Sequence, residues 1–239
     1  ALSLVGSEMC IRDSSIGEEN IFPEINKDII NSINHFVVEN SKVSLGFIKR
    51  VCPEKEISYE NFEVLDEDDP IITSKQLGPC MSGENIGLLT DAGCPNIADP
   101  GAKLILHAHE NNINVIPLVG PSSILLAMMG SGLNGNNFSF NGYLPVDKNE
   151  RSSRIKKLET QSRNNNQSQI FIETPYRNQS LFDELKRNLN NHTFLCVAKN
   201  IRSKNQKIKT MQIKDWKSKK EILEKEPSIF IFHSGMVTF

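Results

Sequence analysis

The pattern that most narrows the fold lies in residues 85–118. A short apolar run (Ile86, Gly87, Leu88, Leu89) leads into a turn with two glycines and two prolines, then a segment of helical period, then a second apolar run from Ile113 to Leu118. In the middle segment, residues 101–111, Leu104, Ile105 and Ala108 share one face, as in an amphipathic helix. Strand, loop, helix and strand in that order make a βαβ unit, whose strands lie parallel and whose crossover is right-handed. An α/β protein is therefore expected. In open sheets of this kind ligands collect in the crevice beyond the carboxyl ends of the strands. The turn, residues 91–101 with the sequence DAGCPNIADPG, leaves one such end.

Within that turn Gly93 and Gly101 permit unusual torsions and close ligand approach, while Pro95 and Pro100 stiffen the path. Asp91 and Asp99 can accept hydrogen bonds from ligand hydroxyls or an amino group. They can equally accept from the loop's own backbone, so a rigid Asx-type turn with no ligand uses the same residues. A second strand-end loop, Gly120, Pro121, Ser122 and Ser123, opens a helical segment at 124–129. Its N–H groups and hydroxyls either hold a polar ligand edge or cap the helix. Gly130, Gly132 and Gly135 spell G-x-G-x-x-G, but they follow a helical segment where a dinucleotide fingerprint must follow a strand.

Elsewhere the spacing of apolar residues predicts a helix from Ile25 through Ile33, a strand over 35–39 and a helix over 43–51. The acidic stretch 54–69 has no period and reads as surface structure, followed by a loop at Gly78 and Pro79. Residues 138–145 alternate like a strand. Beyond them come a basic helix (153–163), a strand (169–173), a helix (180–189), a strand (193–198) and a terminal strand (228–232), a mixed sheet with antiparallel character.

A chain of 239 residues suits two domains of roughly 100–130 residues each. The expected division is a cofactor-binding domain at 15–137 and a second domain at 138–239. Charge supports a division: residues 1–150 hold 9 Lys/Arg against 21 Asp/Glu, a balance of −12, whereas residues 151–239 hold 18 against 8, a balance of +10. A basic half suits a polyanion such as RNA, although a solvated lysine face has the same composition. The five cysteines, Cys10, Cys52, Cys80, Cys94 and Cys196, are scattered without C-x-x-C spacing and read as reduced thiols rather than a disulfide framework or zinc site. His107 and His109 are too weak a pair for a metal. No apolar run approaches the ~18 residues of a membrane span, so a cytoplasmic location is expected. Residues 1–14 lack the features of a targeting sequence and resemble translated sequencing-adapter read-through, which implies a truncated N-terminus.

Three ordered motifs carry a family resemblance. The string 91–101, then Ile116, Pro117, Leu118, Val119, Gly120, Pro121, Ser122 and Ser123, then Phe140, Asn141, Gly142, Tyr143, Leu144 and Pro145, resembles the tetrapyrrole methylase superfamily. Within it the likeness is to the branch of bacterial 16S ribosomal RNA cytidine ribose 2'-O-methyltransferases, over about residues 23–232. The resemblance implies a two-domain α/β fold, a homodimer, S-adenosylmethionine bound in the cleft between domains, and no metal. It maps the cofactor loops onto Thr90, Asp91, Ala92, Gly93, Pro95, Ile97, Asp99, Pro100 and Gly101, and onto Gly120, Pro121, Ser122 and Ser123. The RNA branch carries E-D-T-R at the end of an early strand, where this chain has Glu39, Asn40, Ser41 and Lys42. Glu39 is thereby a candidate catalytic base, or else a cap for the next helix. Asn40 and Lys42 depart from the pattern and leave the acceptor atom open. A segment like the branch's E-S-P-H-R, here Glu173, Thr174, Pro175, Tyr176 and Arg177, makes Glu173 and Arg177 candidate substrate contacts. Arg177 suits either a phosphate or an anchoring role toward Glu173. The implied substrate is ribosomal RNA or the small ribosomal subunit. A small-molecule acceptor such as a tetrapyrrole, or a non-catalytic binding module, are the alternatives.

Overall fold

The computed structural model describes residues 2–4, 23–66, 75–91, 94–223 and 225–235. Two units divide between Ser122 and Ser123. In the first, strands β1 (Leu2–Leu4), β2 (His35–Val38), β3 (Phe62–Val64), β4 (Ile86–Leu89) and β5 (Val115–Pro117) form one sheet in the order β3-β2-β4-β1-β5, every neighbouring pair parallel. Helices α1 (Glu24–Ser32) and α2 (Ser41–Val51) cover one face, where Ile30, Ile33, Phe47 and Ile48 pack with Phe36, Val38 and Leu89. Helix α3 (Gly78–Met81) and helix α4 (Ala102–Glu110) lie on the other face, where Leu104 and Ala108 pack with Val37, Ile86 and Leu88. Strand alternation thus delivers β2 residues to both cores. With both faces covered, all four β4 residues are buried, which explains its unbroken apolar run. Each large side chain so buried contributes ~1.5–3 kcal/mol.

Glycine at position 87 has a packing cause. Phe36 and Gly87 are partners across the β2–β4 ladder, and a Cβ at 87 would meet the Phe36 ring at 2.7 Å. The missing side chain is the space the ring fills.

In the second unit the elements are α5 (Ser123–Ser131), β6 (Phe138–Tyr143), α6 (Lys148–Asn165), β7 (Ser168–Ile172), α7 (Asn178–Asn188), β8 (Phe194–Lys199), β9 (Lys207–Gln212), α8 (Ile213–Ser218) and β10 (Ser228–His233). The sheet order is β6-β7-β10-β8-β9; β6 and β7 are parallel and the other pairs antiparallel. Ile155, Leu158, Phe182, Leu185 and Trp216 of α6, α7 and α8 pack on the face bearing Phe171, Val197, Phe230 and Phe232. Helix α5 covers the opposite face, its Ala127 and Met128 packing with Ile170, Cys196, Ala198 and Ile231. The parallel first sheet and mixed second sheet are those expected from sequence.

Several boundaries differ, each for a local reason. Helix α5 was assigned by sequence to the first domain, but it packs within the second unit. It is apolar on every side, so its periodicity carried no sign of which sheet it would cover. Helix α6 extends beyond 153–163 at both ends: Asp147 Oδ1 caps its start, accepting from the N–H groups of Asn149 (2.8 Å) and Glu150 (3.0 Å), and left-handed Asn166 (φ 49°) ends it. Strand β3, at three residues, and the edge strand β9 were missed. The opening segment, set aside in the sequence reading, supplies β1 between β4 and β5 at residues 2–4. A parallel ladder is made by backbone groups, so three extended residues suffice to fill that position. Residues 5–14 lie outside the described residues. Among the described residues no helix is long and apolar enough to cross a membrane, and Cys52, Cys80, Cys94 and Cys196 form no disulfide.

Candidate functional site

From β2 the chain turns toward β3 on one side of the sheet, whereas from β4 it crosses through α4 to β5 on the other. Adjacent strands whose connections diverge leave a crevice at their carboxyl ends. Here that point lies between β2 and β4. Glu39 follows β2 directly and the 91–101 turn follows β4, so two of the sequence-predicted elements meet there.

Their contact is specific. Glu39 N–H donates to the Leu89 carbonyl at 3.2 Å, prolonging the ladder, and Asp91 N–H donates to Glu39 Oε2 at 3.0 Å. Glu39 therefore clasps the start of the turn. The expected alternative, that it caps α2, is replaced by Asn40, whose Oδ1 accepts from the N–H groups of Lys42 (3.0 Å) and Val43 (3.2 Å). Asn40 departs from the family's Asp and still performs an N-cap's work, because either side chain presents an accepting oxygen.

Ala92 and Gly93 lie outside the described residues. Beyond them the turn is folded on itself: Ile97 N–H donates to the Cys94 carbonyl at 3.0 Å and Asn96 N–H to the Pro100 carbonyl at 3.2 Å. Asn96 (φ 70°) and Ala98 (φ 60°) are left-handed, a conformation that costs a non-glycine residue such as alanine ~1–2 kcal/mol. Gly101 has φ 129°, and a Cβ there would stand 3.0 Å from a Leu88 methyl. This position requires glycine, because an L side chain is strained in that region. The result presents Asn96, Ile97 and Ala98 outward, half-buries Asp99 and Pro100, and buries Thr90, Pro95 and Gly101.

Asp99 is the electrostatic centre of the turn. Its carboxyl is pushed from 3.8 up to about 7, first by burial and then by the charges of Glu39 and Asp91. Three carboxylates thus converge at the crevice and repel one another. Such a cluster favours a ligand that brings positive charge or hydroxyl donors. Among the described residues no group of three or more His, Cys, Asp and Glu side chains is arranged to hold a metal.

The second predicted loop leaves β5 at the same end of this sheet. Gly120, Pro121 and Ser122 are half-buried, and Ser123 begins α5. Asn26 Nδ2 donates to the Val119 carbonyl at 2.7 Å and so fastens the loop to α1. The G-x-G-x-x-G glycines start at the end of α5 rather than after a strand, in keeping with the sequence reading.

In the second unit Glu173 and Arg177 follow β7. The Glu173 side chain is fully buried, and its Oε1 accepts from Arg177 Nη2 (2.7 Å), Arg177 Nε (3.0 Å) and the Thr174 N–H (2.7 Å). Of the two roles left open for Arg177, the geometry matches the anchoring one, since two donors of its fork already serve Glu173. Tyr176 between them was not singled out from sequence, yet it is 77% exposed.

The solved structure of the methyltransferase CobJ aligns with a TM-score of 0.61 at 12% identity, over 98% of this chain and 94% of that one. The cobalamin biosynthetic enzyme cobalt precorrin-4 methyltransferase, CbiF, aligns with a TM-score of 0.58 at 11% identity, over 97% and 94%. The chain thus shares the fold of these two methyltransferases. Sequence similarity is to proteins named ribosomal RNA small subunit methyltransferase I. That of Vibrio cholerae is 29% identical over 150 residues, 63% of this chain and 49% of that protein. That of Synechocystis is 33% identical over 129 residues, 54% and 45% respectively, and that of Mesorhizobium japonicum 36% over 103 residues, 43% and 34%. The aligned segments span about half or less of the length of these relatives. No protein-family model matches the chain. The resemblance read from the three motifs is borne out in two parts: the solved structures share the fold, and the sequence relatives carry the name of the ribosomal RNA branch.

Proposed function

We propose that the chain is an S-adenosylmethionine-dependent methyltransferase acting on a ribose 2'-hydroxyl of ribosomal RNA. The observation that carries the cofactor assignment is the convergence of Glu39, Asp91 and Asp99 at the crevice between β2 and β4. The donor set fits that cofactor. Carboxylates suit its ribose hydroxyls, its ammonium group and its cationic sulfur, and the glycine-containing turn permits close backbone approach. Thr90, Asp91, Ala92, Gly93, Pro95, Ile97, Asp99, Pro100 and Gly101 would hold it from one loop, and Gly120, Pro121, Ser122 and Ser123 from the other.

The cofactor supplies an electrophilic methyl group on a sulfonium, open to in-line displacement. What remains for the protein is alignment and exclusion of water. The left-handed residues of the 91–101 turn pre-shape the loop, so little ordering is left to be done on binding. Asp99, ionising near neutrality, takes up full negative charge when a cation approaches. Glu39, the expected base, spends Oε2 on the Asp91 N–H and in this arrangement positions the loop.

RNA as the acceptor is favoured by the names of the sequence relatives and by charge. Residues 1–122 hold 8 Lys/Arg against 19 Asp/Glu, and residues 123–239 hold 19 against 10, a balance of +9 in the second unit. The structural neighbours favour a second reading, a small tetrapyrrole acceptor, because one is named for cobalt precorrin-4. Transfer of tritium from methyl-labelled cofactor separates the two. Label in 30S subunits or naked 16S RNA, at a linkage resistant to alkali, supports the RNA reading; label in a tetrapyrrole acceptor and none in RNA overturns it. The homodimer implied by the family resemblance is part of the same proposal and is checked by light scattering.

A further inference from the structure

The second unit has a charged surface that the cofactor site leaves unused. An open groove of about 610 Å³ lies where α7 faces the end of α8 and the loop that follows it, and four lysines line it: Lys186, Lys217, Lys219 and Lys220. Two carboxylates share the groove, and both are already engaged. Asp183 pairs with Lys186 at 2.8 Å, and Glu221 pairs with Lys207 at 3.0 Å and Lys199 at 3.5 Å. Among the described residues Lys217, Lys219 and Lys220 pair with no carboxylate; Lys217 Nζ donates only to Asn191 Oδ1, at 2.7 Å. Three uncompensated positive charges therefore stand side by side.

The lysines project from a fixed frame. Leu223 is buried and its N–H donates to Gln179 Oε1 at 2.7 Å, while Asn178 Nδ2 donates to the Glu226 carbonyl at 2.6 Å. Leu223 and Glu226 are thus fastened to the first turn of α7. Tyr176 stands just before that turn, 77% exposed, with Lys225 Nζ 4.9 Å from its ring centroid. Ile222, 61% exposed, adds an apolar surface at the groove itself. An exposed aromatic ring with one lysine against it, carried on the same start of α7 that frames a lysine-lined groove, supplies the two elements that hold single-stranded nucleic acid: bases stack on the ring and phosphates follow the cations.

We propose that the surface formed by Tyr176, Lys217, Lys219, Lys220 and Lys225 is a single-stranded RNA track, with Tyr176 as the stacking platform and the lysines as phosphate contacts. This rests on the RNA reading given above and locates the substrate contact on residues other than Glu173 and Arg177. An acidic protein surface would match the lysines but leave the exposed ring without a role.

The test is fluorescence anisotropy of the full chain with a fluorescein-labelled single-stranded RNA of about 16 nucleotides, titrated at several salt concentrations. The triple variant Lys217→Glu, Lys219→Glu, Lys220→Glu is expected to bind at least tenfold more weakly. It should also flatten the salt dependence by about 2 in log–log slope, three contacts at ~0.7 each. Tyr176→Ala is expected to bind about five- to tenfold more weakly with the slope unchanged, and Tyr176→Phe to bind as the parent does. All these side chains are exposed, and unchanged circular dichroism checks each fold. A parent that binds RNA with every variant binding equally well overturns the track and leaves the RNA reading standing. A duplex of equal length bound as tightly overturns the stacking role. A parent that binds no RNA even at low salt removes the RNA reading, and the track with it.

Discussion

Replacing Asp99 by asparagine should stabilise the protein at alkaline pH and have little effect in acid. In the folded chain the Asp99 carboxyl ionises at about 7, against 3.8 for an ordinary aspartate, because burial and then the charges of Glu39 and Asp91 oppose its charge. A folded value above the unfolded one means that the native state binds the proton more tightly. The stability this contributes is therefore complete below about pH 4 and is lost as pH rises through 7. At ~1.36 kcal/mol per pH unit the shift has a ceiling of ~4 kcal/mol, and solvent screening of this half-exposed group roughly halves it to ~2 kcal/mol. Asparagine mimics the protonated form and never ionises. Differential scanning calorimetry of Asp99→Asn and the parent, without ligand, should show a gap that opens between pH 4 and pH 8 to about 4–8 °C in favour of the variant. A gap that does not change with pH, or a variant less stable than the parent at pH 8, would refute the electrostatic account of the turn.

Other consequences follow from the same residues. Because a cation drawn to the cluster favours ionised Asp99, affinity for S-adenosylmethionine should rise between pH 6 and pH 8, with proton release detectable by calorimetry in buffers of different ionisation enthalpy. The uncharged thioether product should show a smaller rise. For Glu39, the glutamine amide oxygen can still accept from the Asp91 N–H, so Glu39→Gln should keep turnover and lose only the few-fold cofactor affinity that its charge contributes, while Glu39→Ala loses about tenfold in affinity; a Glu39→Gln enzyme with a hundredfold lower kcat would instead mark Glu39 as the base. In the second unit Arg151 and Glu184 form a buried two-pronged pair, with Nη2 to Oε1 at 2.7 Å, and Arg151 Nη1 also reaches the Val146 carbonyl at 3.1 Å. Arg151→Ala leaves Glu184 buried without its cation and should cost ~3–5 kcal/mol in denaturant titration, with no loss expected if the pair is only ornamental.

The site was legible where chemistry and backbone geometry coincide in neighbouring residues. A glycine at φ 129° and prolines on either side of a left-handed turn leave marks in the sequence at 91–101, and the βαβ pattern places that turn at a strand end. The Glu39–Asp91 hydrogen bond joins positions far apart in sequence, so no local pattern could reveal it; strand order alone brings β2 beside β4. The raised ionisation of Asp99 is likewise tertiary, set first by burial and then by the charges of Glu39 and Asp91. Helix α5 was read with the first domain and packs in the second unit, and an all-apolar helix has no directional face from which to read that. The two readings of Arg177 could not be separated in sequence for want of a distance, and the 2.7 Å contact to Glu173 is the geometry of the anchoring one. Tyr176 was overlooked because exposure is a tertiary property.

The most direct test of the central claim is a crystal structure of the chain grown with S-adenosylmethionine. Density for the cofactor at the carboxyl ends of β2 and β4, within hydrogen-bonding distance of Asp91 or Asp99 and of the backbone of residues 94–101, is the result this account predicts. Cofactor density elsewhere in the molecule, or none at saturating ligand, would contradict it.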